Sequence, residues 1–246
     1  MDKLLFQQVC ETIISQKQES NGIGTLGEKT VHSVLKNYFA PNVACHEIKV
    51  GGFVADIASE HEIIEIQTRN FDKLRQKLIA FLALLPVTIV YPIPKTKWIR
   101  WVNPQTGEIN PPRKSPKNGT PYEIFPELYK IKNQLTHPNL GLCIVLINVE
   151  EYRFLDGWSK DKKKGSTRID RIPSELIDEI RISQLADYQV LIPATLLDPF
   201  TTTDYKKASG IRLSLAQTAL NILLHVGVVE RVGKKGNSYL YSRVPQ

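Results

Sequence analysis

The sequence contains no apolar run approaching the ~20 residues needed to span a bilayer. It also shows no secretory leader. The opening MDKLLFQQVCETII carries one lysine and two acids around a short apolar patch, without a basic start, a long apolar segment or a small-residue cleavage site. The expected location is therefore the cytoplasm, with no membrane partner. Cysteine is scarce: Cys10, Cys45 and Cys143 are odd in number and far apart, which argues against a disulfide framework and against a Cys-x-x-Cys zinc site. The five histidines are scattered and lack zinc-ligand spacing. Cys45 and His46 are adjacent, so on a strand their side chains point to opposite faces. No repeat with a period of 20–50 residues is present.

What is there fits an ordinary globular chain: 246 residues, 42% hydrophobic and 23% charged, enough for one large or two modest domains. The formal net charge is +7, which favours an anionic partner, nucleic acid first. The charge is concentrated. Lys95 to Lys117 holds six basic residues and one acid, and WSKDKKKGSTRIDR, residues 158–171, holds six basic residues and two acids. Both are rich in Pro, Gly or Ser and read as exposed loops. Solvated loops without a partner are the alternative reading of each.

Along the chain, an N-terminal helix is expected to pack Leu4, Leu5, Val9 and Ile13 inward. A second helix over GIGTLGEKTVHSVLKNYF carries the stripe Val31, Val34, Leu35, Tyr38 and Phe39. CHEIKV, FVADIA and EIIEIQ then read as three strands, the first two joined by a Gly51-Gly52 turn. NFDKLRQKLIAFLALL reads as a helix with Asn70 as N-cap, and PVTIVYPIP as a strand stopped by its prolines. Residues 95–120 read as an inserted hairpin turning at Thr106-Gly107; Trp98 and Trp101 within it pack the hairpin or stack on bases. A helix over about 122–134 and the apolar strand GLCIVLINVEEY follow. These elements predict an α/β domain over residues 1–155, a basic linker over 156–172 and a smaller domain over 173–246, which opens with helical patterns in IPSELIDEIRISQLADYQVL.

Near the C-terminus, TTTDYKKAS reads as a short Thr-capped helix ended by a left-handed Gly210. A second helix covers about Leu213 to His225, with Leu215, Ala219, Ile222, Leu223 and Val226 on its apolar face. A hairpin turning at Gly-Lys-Lys-Gly-Asn follows. Helix, glycine turn, helix and basic-tipped hairpin resemble a winged helix-turn-helix. The resemblance implies that the second helix enters a DNA major groove. Ser214, Gln217, Thr218 and Asn221 would then meet base edges or phosphates, and Arg212, Lys234 and Lys235 backbone phosphates. A merely solvated polar face, or a protein-docking module, is the competing reading.

The stretch GGFVADIASEHEIIEIQTR places acids inside apolar strands. A two-residue turn at Gly51-Gly52 sets Glu47 opposite Asp56, and an even turn centred on Glu60-His61 sets Asp56 opposite Glu65. Opposed residues share a face, and Gln67 shares it too. Like charges facing across strands are destabilising, so such a row calls for a cation, a proton or solvent. Hard oxygen ligands suit Mg²⁺. A fourth acid, Glu28, falls on the apolar stripe of the second helix, where the helix dipole alone is one explanation.

Glu28, Asp56 and Glu65-Ile66-Gln67, with the order α-β-β-β-α-β over roughly residues 24–91, resemble the PD-(D/E)XK nuclease superfamily, in particular its Holliday-junction-resolvase and restriction-endonuclease-like branch. The implied fold is α/β, a restriction-endonuclease-like mixed sheet flanked by helices, followed by the winged-helix domain. The implied function is metal-dependent hydrolysis of DNA phosphodiester bonds, RNA being the other polymer with this linkage. Asp56 and Glu65 would ligate Mg²⁺ or Mn²⁺ with the Ile66 carbonyl and Glu28. Gln67 stands where the family usually has lysine, with Lys73 or Lys77 as alternative sources of charge. The branch also makes a homodimer an expected partner. Two other readings stay open: a nuclease fold kept as a non-cutting DNA-binding or regulatory protein, and a solvated acidic sheet face.

Overall fold

The period-two patterning around Gly51-Gly52 folds as a hairpin. In the computed structural model, which describes residues 1–21, 30–157 and 167–245, strands β1 (His46–Val50) and β2 (Phe53–Ala58) flank a two-glycine turn. Both glycines hold positive φ, 53° and 83°, the left-handed region that side chains disfavour. A Cβ on Gly51 would also stand 3.2 Å from the Leu84 side chain. Strand β3 (Ile63–Ile66) pairs antiparallel with β2, and the parallel β4 (Val87–Val102) is reached through helix α3 (Arg75–Leu82). A parallel neighbour requires such a crossover.

The complete sheet is mixed and seven-stranded. It adds β5 (Arg113–Lys114), β6 (Leu140–Phe154) and β7 (Thr167–Ile182) in the order β1-β2-β3-β4-β6-β7, with β5 paired to β4. Helices α1 (Lys3–Asn21), α2 (Thr30–Phe39) and α4 (Phe125–Lys130) accompany it. Helix α5 (Thr202–Ser209), helix α6 (Leu213–His225) and the separate hairpin β8 (Val229–Lys235)–β9 (Ser238–Arg243) complete the chain. The architecture is thus α/β, with a small two-stranded hairpin near helices at the C-terminal end. No helix among the described residues is long and apolar enough to cross a membrane.

Two compact units are interleaved along the chain. One is drawn from Met1–His46, Pro92–Thr120 and Val145–Glu179, the other from Glu47–Tyr91, Pro121–Ile144 and the residues from Ile180 onward. In the first, Phe6, Cys10, Val34 and Leu35 are buried. Its helix α2 is tied to β7 by Thr30 on Asp170 and Tyr38 on Glu179. In the second, the core is built on Ile63, Ile66, Phe71, Leu78, Phe81 and Ile89, each at most 3% exposed.

Several expectations change here. The buried stripe of α1 runs through Phe6 and Cys10, and Leu4 is exposed. Asn70 adopts a left-handed conformation (φ 61°) and makes no side-chain cap; Phe71–Leu74 form a 3-10 turn before α3. β4 continues through Pro92 and Pro94 instead of stopping. The last β3–β4 pair is Ile66 with Val90, and the Gln67 amide donates to the Val90 carbonyl at 2.9 Å. Two and four residues on, the prolines share that edge after β3 has ended, so their missing N–H groups leave no ladder bond unmade.

Residues 172–182, read as helical, are strand. Their acids sit at helical spacing, yet they find partners on other elements: Glu175 accepts from Asn148 Nδ2 of β6 at 2.7 Å, and Glu179 accepts from the Tyr38 hydroxyl of α2. The expected linker is affected as well, because residues 167–172 belong to β7 and 158–166 lie outside the described residues.

The insertion turns where expected, with Gly107 at φ 73° and the Asn103 amide donating to the Glu108 carbonyl at 2.9 Å. Its return is fixed at Gly119, whose amide donates to the Lys95 carbonyl at 3.0 Å. A Cβ there would lie 2.2 Å from the Pro94 carbonyl oxygen. Backbone must move to admit it, so Gly119→Ala is expected to lose about 2 kcal/mol of stability. Urea unfolding at neutral pH measures this; an unchanged midpoint would contradict the close approach.

Candidate functional site

The acid pair assembles from β2 and β3. The register pairs Ile57 with Ile64 and Ala58 with Ile63. Extending it by one residue sets Asp56 opposite Glu65, as the turn centred on Glu60-His61 predicts. At this point side chains take over from the backbone ladder. The Asp56 amide donates to Glu65 Oε1 at 3.0 Å, and the Ile66 amide donates to Asp56 Oδ2 at 2.8 Å. All four residues of β3 are buried, so Glu65, 4% exposed, is an interior carboxylate.

The cation comes from the helix that follows. Lys77 on α3 reaches Glu65 Oε2 at 2.6 Å, and its ammonium also lies 5.5 Å from the centre of the Phe81 ring. Burial pushes the Glu65 carboxyl up, and the Asp56 charge pushes the same way. Lys77 and the Asp56 amide offset part of this, and the balance falls at about 7. With both acids ionised, the trio carries two negative charges and one positive.

The other expected residues fall in different places. Ile66 directly follows Glu65, and its backbone is held by Asp56. Gln67 sits just past the end of β3, half-buried. Glu47 is exposed on β1 with φ 54°. Glu28 lies outside the described residues. Among those residues no group of three or more His, Cys, Asp or Glu is placed to hold a metal ion, so the site offers two carboxylates. That donor set fits Mg²⁺, which binds through one or two carboxylates and keeps waters or substrate phosphates in its remaining positions.

At the C-terminal end two helices and a hairpin form at the expected positions, but the buried stripe of α6 runs through Ala216 and Leu220, and Leu215 is only half-buried. Thr201 caps α5, accepting from the Asp204 amide at 3.2 Å in a reciprocal capping box. Gly210 ends the helix at φ 70°. Helix α6 buries Ala216, Ala219, Leu220, Ile222 and Leu223. Arg212, Ser214, Gln217 and Asn221 are exposed, as are Lys234 and Lys235 on the hairpin. Two polar groups are already engaged: the Thr218 hydroxyl donates to the Ser214 carbonyl at 3.0 Å, and Asn221 Oδ1 accepts from Lys132 Nζ at 2.9 Å. Along the hairpin, Arg231 and Lys234 both stack on the exposed Tyr239, at 4.1 and 5.1 Å from its ring centre. An isolated antiparallel β-bridge joins Phe200 to Tyr241 of the hairpin.

One constellation escaped the sequence reading. In the first unit, Glu151 of β6 is fully buried and held by Arg153, through Nε at 2.6 Å, and by Arg171 of β7, through Nε at 2.6 Å. The Lys97 charge acts on Glu151 as well, so the group draws on residues from 97 to 171, and no local spacing announces it.

Fold and site together define an α/β protein whose mixed sheet sets a buried glutamate, Glu65, against a half-buried aspartate, Asp56, beside a helix-borne lysine. The chain belongs to the family described as a domain of unknown function, DUF8091, whose model matches residues 29–183. That span includes the acid pair, Lys77 and the Glu151 cluster, and it ends before α5. An uncharacterized protein of Treponema pallidum (strain Nichols) is 28% identical over 225 residues, which is 91% of this chain and 88% of that protein. No solved structure matches.

Proposed function

We propose that this chain is a metal-dependent nuclease of PD-(D/E)XK type that hydrolyses DNA phosphodiester bonds, with its C-terminal winged helix as a DNA contact. The observation that carries the reading is Asp56 facing Glu65 across β2 and β3, with the Lys77 ammonium 2.6 Å from Glu65. A strand-order argument supports it. Three antiparallel-type strands, a crossover helix and a parallel fourth strand frame the acids, as in the family that the motif resembles.

Asp56 and Glu65 would hold the Mg²⁺ or Mn²⁺ ion together with the Ile66 carbonyl. The bound ion supplies polarisation of the scissile phosphate and a more acidic water. The protein residues divide the remaining work. Asp56 and Glu65 pin each other through backbone amides, so neither needs to reorganise. Lys77 lowers the cost of ionising a buried glutamate and lends the charge that Gln67 lacks. Gln67 contributes an amide able to orient water through a hydrogen bond. The Thr201 cap, the left-handed Gly210 and the Phe200–Tyr241 bridge support the winged-helix assignment. On that assignment Arg212, Ser214, Gln217, Lys234 and Lys235 face the DNA, while Asn221 joins only by releasing Lys132.

A second reading has its own observation. Lys77 already supplies a positive charge to Glu65, as a permanent counter-ion would in a non-cutting DNA-binding protein. Supercoiled plasmid separates the two. The nuclease nicks it with Mg²⁺ or Mn²⁺ and not with EDTA. Binding without cleavage in either metal sinks the nuclease and leaves the binding protein.

A further inference from the structure

The hairpin β8–β9 carries an arrangement that the function proposed above leaves unassigned. Its register pairs Arg231 with Tyr241, then Gly233 with Leu240, Lys234 with Tyr239 and Lys235 with Ser238. Val232 is therefore an extra residue on β8, a β-bulge. On an unbroken strand, residues 231 and 234 would point to opposite faces, because their separation is odd. The bulge makes the count even. Paired residues share a face, so Arg231 and Lys234 both join the face of Tyr239 and Tyr241.

That face runs from the interior to the surface. Tyr241 is buried and stacks on Phe200, with ring centres 6.2 Å apart. Tyr239, two residues nearer the turn, is 42% exposed. The Arg231 guanidinium lies 4.1 Å from its ring centre and the Lys234 ammonium 5.1 Å. Both cations are themselves exposed, so the trio is held together outside the core.

Arg243, at the base of the same hairpin, is engaged within the fold. It pairs with Asp198 at 3.1 Å and donates to the Pro193 carbonyl at 3.1 Å. Among the described residues, the side chains of Arg231 and Lys234 make no hydrogen bond or ion pair and keep only the contact with Tyr239. A guanidinium stacked by its flat face leaves its N–H fork free along the edge. That fork, with an ammonium on the same ring, matches the oxygens of a phosphate. The ring adds preorganisation, since two long side chains already held in place lose less freedom on binding.

We infer that Tyr239 is a positioning residue for nucleic-acid binding: through Arg231 and Lys234, brought to its face by the bulge at Val232, it presents a preformed clamp for a backbone phosphate. The inference rests on the reading of the C-terminal elements as a DNA contact, and it adds Arg231 and Tyr239 to the residues assigned there. Duplex DNA is favoured over a lipid surface because α6, which leads into the hairpin, exposes Ser214 and Gln217, groups that suit base edges and phosphates.

The test is the anisotropy of a fluorescently labelled duplex of about 30 base pairs titrated with full-length protein in EDTA, from about 50 to 200 mM KCl. Tyr239→Leu is expected to weaken binding at about 100 mM roughly fivefold, with the salt slope unchanged because both cations remain. Tyr239→Phe keeps the ring and is expected to stay within about twofold of wild type. Arg231→Gln/Lys234→Gln is expected to lower the slope of log K against log salt by about 2, and adding Tyr239→Leu to it is expected to cost nothing more. A ring that only supported the fold would give the same loss in both backgrounds, with a lower urea midpoint, and that result overturns the inference. If the wild type binds no duplex, the DNA contact proposed above fails and this inference fails with it. If it binds, and Gln217→Ala weakens it while Tyr239→Leu does not, this inference alone fails. Phosphatidylserine vesicles form the other arm: binding tighter to them than to the duplex, with the same losses, assigns the clamp to a membrane surface and overturns the inference.

Discussion

Asp56→Asn is expected to leave DNA binding intact in EDTA and to reduce Mg²⁺-dependent nicking on the order of 10³-fold. A bound divalent ion stabilises the transition state by several kcal/mol, and ~4 kcal/mol corresponds to that factor. Asparagine keeps the shape and one acceptor for the Ile66 amide, so the strand pair survives while a charge that, on the proposed function, would hold the ion is lost. Lys77→Met tests the other half of the site. The Glu65 carboxyl falls at about 7, raised first by burial and then by Asp56, with Lys77 holding it down. Only the ionised form binds metal, so the wild-type nicking rate should climb with pH below about 7 and level off above. Without Lys77 the rising limb moves to higher pH, because an opposite charge at this range is worth ~1–3 pKa units. At pH 7 the loss is then about tenfold or more, and it is recovered in part at pH 9. Glu65→Gln has no such limb. Initial nicking rates from pH 5.5 to 9 check all three; a Lys77→Met profile that falls uniformly without shifting would assign Lys77 to the scaffold.

The same carboxyl affects stability with a definite sign. Its folded-state value lies above the ordinary 4.5, so the folded protein holds this proton more tightly than the unfolded chain. The contribution is fully present below pH 4.5 and is lost as the pH rises through about 7. On the proposed function, a metal would act in the opposite sense, binding the ionised form and stabilising the fold where Glu65 alone does not.

The acid pair was legible in the sequence because its signals are local. Period two puts Asp56 and Glu65 on one face, and a short even turn fixes the register, which a single-residue slip would invert. The C-terminal helices were legible for the same reason: a Thr cap, a left-handed glycine and an apolar stripe lie within 25 residues of one another. β7 was not. Ile172, Leu176 and Ile180 recur at four, as on a helix, and Glu175 and Glu179 follow the same spacing. What makes this segment a strand is a partner, β6, together with Asn148 and Tyr38 waiting for its acids. Pro92 and Pro94 misled in a similar way, since their cost depends on whether a neighbouring strand is still present. Lys77 lay between these cases. Its helix could be read, but the contact with Glu65 depends on how the α3 crossover packs.

Glu151→Ala is expected to destabilise the protein by about 3 kcal/mol, whereas Glu150→Ala, one residue earlier, costs about 0.5 kcal/mol. The two glutamates occupy opposite faces of β6 and differ in what surrounds them. Glu150 pairs with Arg100 at 2.7 Å, but the two side chains are 30% and 27% exposed, so solvent screens the pair and its contribution is small. Glu151 is fully buried between Arg153 and Arg171, and removing it takes a buried carboxylate away from both guanidinium groups and from the half-buried Lys97. Breaking a buried pair from one side costs ~3–5 kcal/mol; the lower end applies because both arginines keep some contact with water. The pH dependence runs opposite to that of Glu65. Burial alone would raise the Glu151 carboxyl, but Arg171, Lys97 and Arg153 hold it at about 2. Its stabilisation is therefore present above pH 4.5 and is lost as the pH falls toward 2. Urea midpoints of both variants and the wild type, at pH 7 and pH 3.5, measure each claim. The gap between Glu151→Ala and wild type should narrow at the lower pH, while the Glu150→Ala gap stays small at both. If the two substitutions cost the same at pH 7, Glu151 is not the buried counter-charge on which the surrounding cations depend.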